Sequence, residues 1–357
     1  MHTGETSRNT GLSHPKYRPD IDGLRAIAVL SVVGFHSFPN WIRGGFIGVD
    51  IFFVISGYLI STIIFENLER GTFSFAEFYA RRVRRIFPAL WVVLAACFAF
   101  GWFVLLPDEY QQLGKHVAAG AGFVSNLVLW NESGYFDNAA DTKPLLHLWS
   151  LGIEEQYYIV WPLLAWAAWK RKVGFLSMTV VVLMASFILN IREVHEDTVA
   201  AFYSPMTRFW ELLTGSLLAW FALHRREDLG KLNSRQRNLL SLSGVGVLGL
   251  GLVLITKESA FPGWWALLPV LGVVLVILAG PQAWLNRSVL GNPIAVWFGL
   301  ISYPLYLWHW PLLVYPKITT GELTTPTQRA MLISIAILLA WATYYFIGSS
   351  WKRVGRS

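Results

Sequence analysis

The chain is poor in cysteine and in charge. Its 357 residues include one cysteine, Cys97, so an intramolecular disulfide and a thiolate metal site are both excluded. Charged residues make up 14% of the sequence, against roughly 25% in a typical soluble domain. The zinc-binding HExxH and the phosphate-cradling GxxxxGK(S/T) patterns are missing, and no metal is expected. The first fifteen residues are polar, and the first long apolar run carries an arginine and no small-residue cleavage site, so a cleaved signal peptide is not expected. No solenoid repeat, low-complexity tract or long soluble domain is visible.

What is present is apolar surface. Hydrophobic residues are 54% of the chain and the mean hydropathy is +0.46, which predicts a polytopic membrane protein. Eighteen tryptophans and thirteen tyrosines suit two membrane interfaces. Runs long enough to span a bilayer lie at 21–38, 46–66, 87–106, 149–169, 173–190, 204–223, 238–256, 263–280, 293–315 and 327–348. The stretch 116–130 is shorter and broken by glycine, serine and asparagine. If it dips and returns, every basic cluster falls on one side: 81–85, 170–172, 224–237 and the C-terminus. The expectation is therefore an all-α helical bundle with about ten transmembrane helices plus one re-entrant or interfacial helix, both termini cytoplasmic. A polar tail at 1–16 and a basic tail at 349–357 flank the membrane domain at 17–348. The net charge of +7 reads as a topology signal rather than a nucleic-acid surface. Segment 74–86 mixes Phe75, Phe78 and Tyr79 with Arg81, Arg82, Arg84 and Arg85, and predicts a helix along the interface facing anionic lipid or a phosphate-rich cosubstrate.

Ionisable residues inside apolar spans are costly and tend to mark a functional path. In "DGLRAIAVLSVVGFH", Arg25 and His36 stand eleven residues apart, about 20° from sharing one helix face and about 16 Å apart along it. A snorkelling arginine and a structural histidine would explain each alone; the shared face favours one cavity seen from two depths. Asp50 at the start of the next span either caps its helix or bonds a histidine. His147, Ser150 and Glu154 share a face in "LHLWSLGIEEQYYIVWP", with Glu155 and Gln156 beside them. Arg208 and Glu211, three apart, are expected to neutralise each other. Ser302, Tyr303, Tyr306 and His309 lie in a span carrying Pro304 and Pro311. The pattern is a basic mouth facing a histidine and carboxylate cluster, in which a carboxylate would fix the tautomer of a histidine base.

Five blocks then resemble one family, the membrane-bound acyltransferase family 3: "DGLRAIAVLSVVGFH", "GGFIGVDIFFVISGYLIS", "FYARRVRRIFPAL", "LHLWSLGIEEQYYIVWP" and "ISYPLYLWHWPLL". The resemblance covers 17–348 and is nearest to the O-antigen and peptidoglycan acetylase branch, without its SGNH hydrolase domain. It implies a bacterial inner-membrane enzyme moving an acyl group, typically acetyl, from cytoplasmic acetyl-CoA or another acyl-CoA to a hydroxyl of a cell-surface or lipid-linked glycan. Membrane lipids and a separate extracytoplasmic SGNH-type protein would be its other partners. It further implies His36, Glu154 and His147 as catalytic, with Arg25, Arg81, Arg82, Arg84 and Arg85 toward the donor. Asp50, Ser150, Gln156, Arg208, Tyr303 and His309 would support substrate. The rival expectations are an anion or lipid-linked-substrate transporter without chemistry, and an inactive acyltransferase-like partner.

Overall fold

The computed structural model describes residues 17–133, 142–321 and 325–348. Both expected tails and the middle of the expected outer loop lie outside the described residues. Among those described, every regular element is helical. The long helices are α1 (Pro19–Ser37), α2 (Gly48–Glu69), α3 (Phe75–Val104), α6 (Leu148–Lys170), α7 (Phe175–Glu196), α9 (Pro205–His224), α11 (Ser234–Leu254), α14 (Ser302–Thr320) and α15 (Pro326–Thr343). Shorter ones are α4 (Pro107–Ala121), α5 (Ser125–Glu132), α8 (Thr198–Tyr203), α10 (Arg226–Gly230), α12 (Leu267–Ala279) and α13 (Pro293–Leu300).

Local chemistry sets many of these limits. Ser74, Asn233 and Thr325 accept hydrogen bonds from backbone N–H groups of the first turns of α3, α11 and α15. Proline opens α1, α9 and α15, where its missing N–H costs nothing, and Gly321 closes α14 at φ 67°.

Among the described residues, five helical segments are long and apolar enough to cross a membrane: Gly45–Glu69, Phe75–Val104, Phe175–Glu196, Ser234–Leu254 and Pro326–Ile347. The expected count of ten is not reached by that measure. Helices α1, α6, α9 and α14 have 19 to 23 residues, but they carry much of the buried polar chemistry, which lowers their apolar character.

Three expectations change form. The interfacial helix at 74–86 is continuous with the span after it, giving the 30-residue α3 with Pro88 inside. The run 293–315 breaks at Ile301 into α13 and α14. The stretch 116–130 is a helical hairpin: α4 folds back along the end of α3, with Leu113 against Gly101 and Tyr110 against Phe98. It then turns through Phe123 at φ 55° into α5. Gln156 holds that elbow, donating to the Phe123 carbonyl and the Asn126 Oδ1, both at 2.8 Å. The letters GVGVLG at 244–249 mimic a dinucleotide fingerprint but lie inside α11, with no strand-to-helix turn to cradle a pyrophosphate.

The core gathers α1, α2, α6, α9 and α12 around Leu24, Val32, Phe53, Ile60, Trp161 and Leu212. Small residues permit the close crossings. A Cβ on Gly57 would stand 1.8 Å from the Leu212 carbonyl, and one on Gly215 would stand 2.1 Å from that of Val54. Helices α2 and α9 therefore meet backbone to backbone, as membrane helices do without a hydrophobic drive between them.

Candidate active site

Among the described residues, two large cavities enter this core. The first, about 440 Å³, opens among the start of α1, the end of α2, the start of α3 and the end of α9. Its charged lining is Arg18, Asp22, Arg25, Glu66, Arg82, Arg85, Glu154, Glu155 and Arg226. Arg25 pairs with Asp22 at 3.3 Å, Arg226 with Glu66 at 3.2 Å, and Arg18 with Asp20 at 2.6 Å. Glu154 accepts from the hydroxyls of Ser56 and Tyr158. Arg82 lies over the Tyr158 ring, and neither Arg82 nor Arg85 makes an ion pair among the described residues. Two guanidinium groups thus face the cavity uncommitted to a carboxylate, a setting suited to a ligand bearing phosphates.

The second cavity, about 1040 Å³, lies at the other end of the bundle. His36, Asp50, His147, Trp149, Arg208, Lys257, Tyr306 and Trp310 are among its lining residues. His36 Nδ1 stands 2.9 Å from His309 Nε2, with the two rings parallel within 7°. The Trp310 ring covers His36 with centroids 4.5 Å apart, and the His147 ring meets the His309 ring edge-on. Among the described residues, only Val49 and Tyr306 line both cavities. The Tyr306 hydroxyl donates to the His147 carbonyl at 2.6 Å and bonds Ser150 Oγ at 2.7 Å, making a lintel between a basic chamber and a histidine chamber.

The structure sorts the residues singled out in the sequence. Arg25 and His36 share helix α1 but open into different chambers separated by that lintel. Glu154 lies in the basic chamber, not beside His36. The reason is direction: α6 starts at the His36 end, and seven residues carry Glu154 about 10 Å toward the end where Arg25 sits. Arg82 and Arg85 line the basic chamber, whereas Arg81 and Arg84 do not; Arg81 is bonded to Glu77. Asp50 neither caps its helix nor meets a histidine. Its partner is Arg208 at 3.0 Å, which also reaches Glu211 at 3.3 Å. Tyr303 donates to the Ile86 carbonyl and lines the basic chamber, while Gln156 lines neither chamber and bonds into the hairpin elbow.

A family profile described as an acyltransferase domain matches residues 18–345. The chain belongs to the acyltransferase family 3. It is 32% identical over 95% of its length to the peptidoglycan O-acetyltransferase OatA of Listeria monocytogenes, covering 56% of that protein. It is 31% identical over 94% of its length to YrhL of Bacillus subtilis, provisionally named a peptidoglycan O-acetyltransferase, covering 55% of it. A provisionally named O-acetyltransferase of Staphylococcus aureus is 31% identical over 95% of the chain, which covers 58% of that protein. The chain thus spans little more than half the length of these curated relatives. No solved structure matches it.

One anchor of the histidine chamber gave no sequence signal. Glu132 at the end of α5 holds Lys115 at 2.7 Å, His116 at 2.8 Å and Lys143 at 3.0 Å. The Lys143 carbonyl in turn accepts the Trp310 indole N–H at 2.9 Å, and Trp310 covers His36. Partial burial pushes the Glu132 carboxyl up, but the bonds from Lys115, His116 and Lys143 outweigh it and hold it at about 2, below the ordinary 4.5. A depressed folded value means the tie contributes fully above about pH 4.5 and is lost as pH falls toward about 2. Glu132→Gln should therefore destabilise the protein at pH 7, by no more than about 1 kcal/mol because water reaches part of the cluster. Thermal unfolding in detergent should show the gap to the native protein narrowing below about pH 4.5. An equal gap at every pH would remove the role assigned to this cluster.

Proposed function

We propose that the protein is a membrane O-acyltransferase that takes an acyl group, acetyl in the simplest case, from acyl-CoA and places it on a hydroxyl of a peptidoglycan-type glycan. The observation that carries the reading is the meeting of the two chambers at Val49 and Tyr306, one lined by unpaired Arg82 and Arg85 and the other by His36. In this reading the basic chamber faces the cytoplasm across the bacterial inner membrane, and its arginines take the donor phosphates. The thioester end reaches the lintel, and the glycan approaches from the histidine chamber. His36 removes the proton from the acceptor hydroxyl as its oxygen attacks the thioester carbonyl. The new O–C bond forms, the C–S bond breaks, and the proton passes from His36 to the departing sulfur, giving an ester and a free thiol. The acceptor class is taken from the relatives named as peptidoglycan O-acetyltransferases.

The donor side is tested by Arg82→Gln, Arg85→Gln and Arg25→Ala in protein reconstituted with acetyl-CoA. A charge-assisted hydrogen bond contributes about 1.5–3 kcal/mol, so each of the first two should raise KM for the donor about tenfold or more with kcat nearly kept. Arg25→Ala, which removes the ion pair to Asp22 and leaves that carboxylate only the Tyr17 hydroxyl at the same chamber, should raise it less. An unchanged donor KM in all three would sink the assignment of the basic chamber to acyl-CoA.

A further inference from the structure

A histidine base needs a fixed tautomer, and no carboxylate is bonded to His36 among the described residues. His309 takes that place, and the direction of its bonds follows from elementary donor rules. Its Nδ1 lies 2.7 Å from the Tyr306 carbonyl oxygen and 3.2 Å from that of Leu305. A carbonyl only accepts, so Nδ1 of His309 carries the proton. A neutral imidazole has one N–H, which leaves His309 Nε2 as a lone pair, 2.9 Å from His36 Nδ1. His36 Nδ1 must then be the donor in that bond. Its own Nε2 is left unprotonated.

We infer that His309 is a positioning residue: it holds His36 in the Nδ1–H tautomer, by a chain running from the Tyr306 carbonyl through both rings, so that Nε2 serves as the base. The tautomer chain stands on geometry alone, and only the use of Nε2 as a base rests on the acyl-transfer reading. His309 is 1% exposed, so water does not compete for its ring. The near-parallel rings and the Trp310 cover fix His36 in orientation as well as in protonation. During transfer the hydroxyl proton goes to His36 Nε2 and then to the leaving sulfur, and His309 keeps its Nδ1 proton throughout. The geometry also defines the competing arrangement. A doubly protonated His309 would donate from Nε2 and place the His36 lone pair on Nδ1, where that bond occupies it.

Two substitutions separate positioning from packing. His309→Phe keeps a ring against His36 and removes the acceptor. His309→Gln removes the ring and returns a carbonyl oxygen near the Nε2 position. His309→Phe should lower kcat about a hundredfold, within the 10²–10⁴ range of general-base catalysis, with KM for acetyl-CoA unchanged. His309→Gln should recover to within about tenfold of the native kcat, since it restores the acceptor. Native kcat in His309→Phe, or equal loss in both variants with normal yield and thermal midpoint, would overturn the inference. Ring ¹⁵N chemical shifts of His36 in detergent read the tautomer without turnover. The Nδ1–H form in the native protein and a mixture in His309→Phe support the chain; an Nε2–H form in the native protein overturns it. The Nδ1–H form in a native protein that transfers no acyl group would instead overturn the acyl-transfer reading and leave the positioning intact.

Discussion

His36→Ala should lower kcat for acyl transfer about 10³-fold while KM for acetyl-CoA stays within about twofold. The rate figure follows from the usual contribution of a positioned base, and the unchanged KM follows from the architecture. His36 opens into the histidine chamber, about eleven residues or 16 Å along α1 from Arg25, and the uncommitted arginines line the other cavity. A loss confined to kcat is the mark of an interaction used in the transition state rather than in donor binding. The variant should still insert and fold. His36 is only partly buried, and what it loses is a bond to His309 and ring contact with Trp310, while the crossings of α1 with its neighbours rely on other residues such as Gly45 and Gly48. Initial rates with labelled acetyl-CoA, on protein matched for yield and thermal midpoint, give the comparison. Transfer near the native rate would remove His36 from the chemistry. A rise in donor KM at constant kcat would move it into donor binding.

How far this arrangement could be read from the chain depends on whether a relation is local. Arg25 and His36 lie on one helix, so helical period alone places them on one face at different depths. The lintel that separates their chambers could not be read, because it joins Tyr306 to His147 and Ser150 across more than 150 residues. The same holds for His36 with His309, 273 residues apart, and for Asp50 with Arg208, 158 apart. Period supplies the right candidates there but the wrong partners: it offers Asp50 a cap or a histidine, and it sets a carboxylate next to the base. Glu154 shows a different failure. Its face relative to His147 follows from spacing, but its chamber depends on the running direction of α6 against α1, which spacing does not contain. Trp310 and Lys143 are silent in the sequence for a third reason. A tryptophan in an apolar span and a lysine in a loop are ordinary, and only the bond from one to the other's carbonyl gives them a place near His36. The break at Ile301 and the fusion of 74–86 into α3 are boundary effects that tertiary packing decides.

The largest stability effect should come from Arg208. Its side chain and that of Glu211 are 0% exposed and that of Asp50 is 1% exposed, so one guanidinium serves two carboxylates out of reach of water. Four rings surround it, with Phe53 and Phe261 at 5.5 Å, Trp149 at 5.7 Å and Phe202 at 5.9 Å from its Cζ. The rings face a cation favourably but offer nothing to a carboxylate. Arg208→Met therefore leaves two acidic groups in an apolar cage, and breaking such a buried pair from one side costs about 3–5 kcal/mol. The arginine's value is in the company it keeps, because bringing its charge out of water is itself expensive. It follows that the triple variant Asp50→Asn, Arg208→Met, Glu211→Gln should recover most of the loss, since no charge remains to be compensated. Thermal unfolding in detergent and the amount accumulated in membranes would measure both. A single variant as stable as the native protein would mean that water enters the cage. A triple variant as unstable as the single would mean that the arginine contributes by packing against the four rings rather than by charge, and its retention at the wall of the histidine chamber would then need a role toward the ligand.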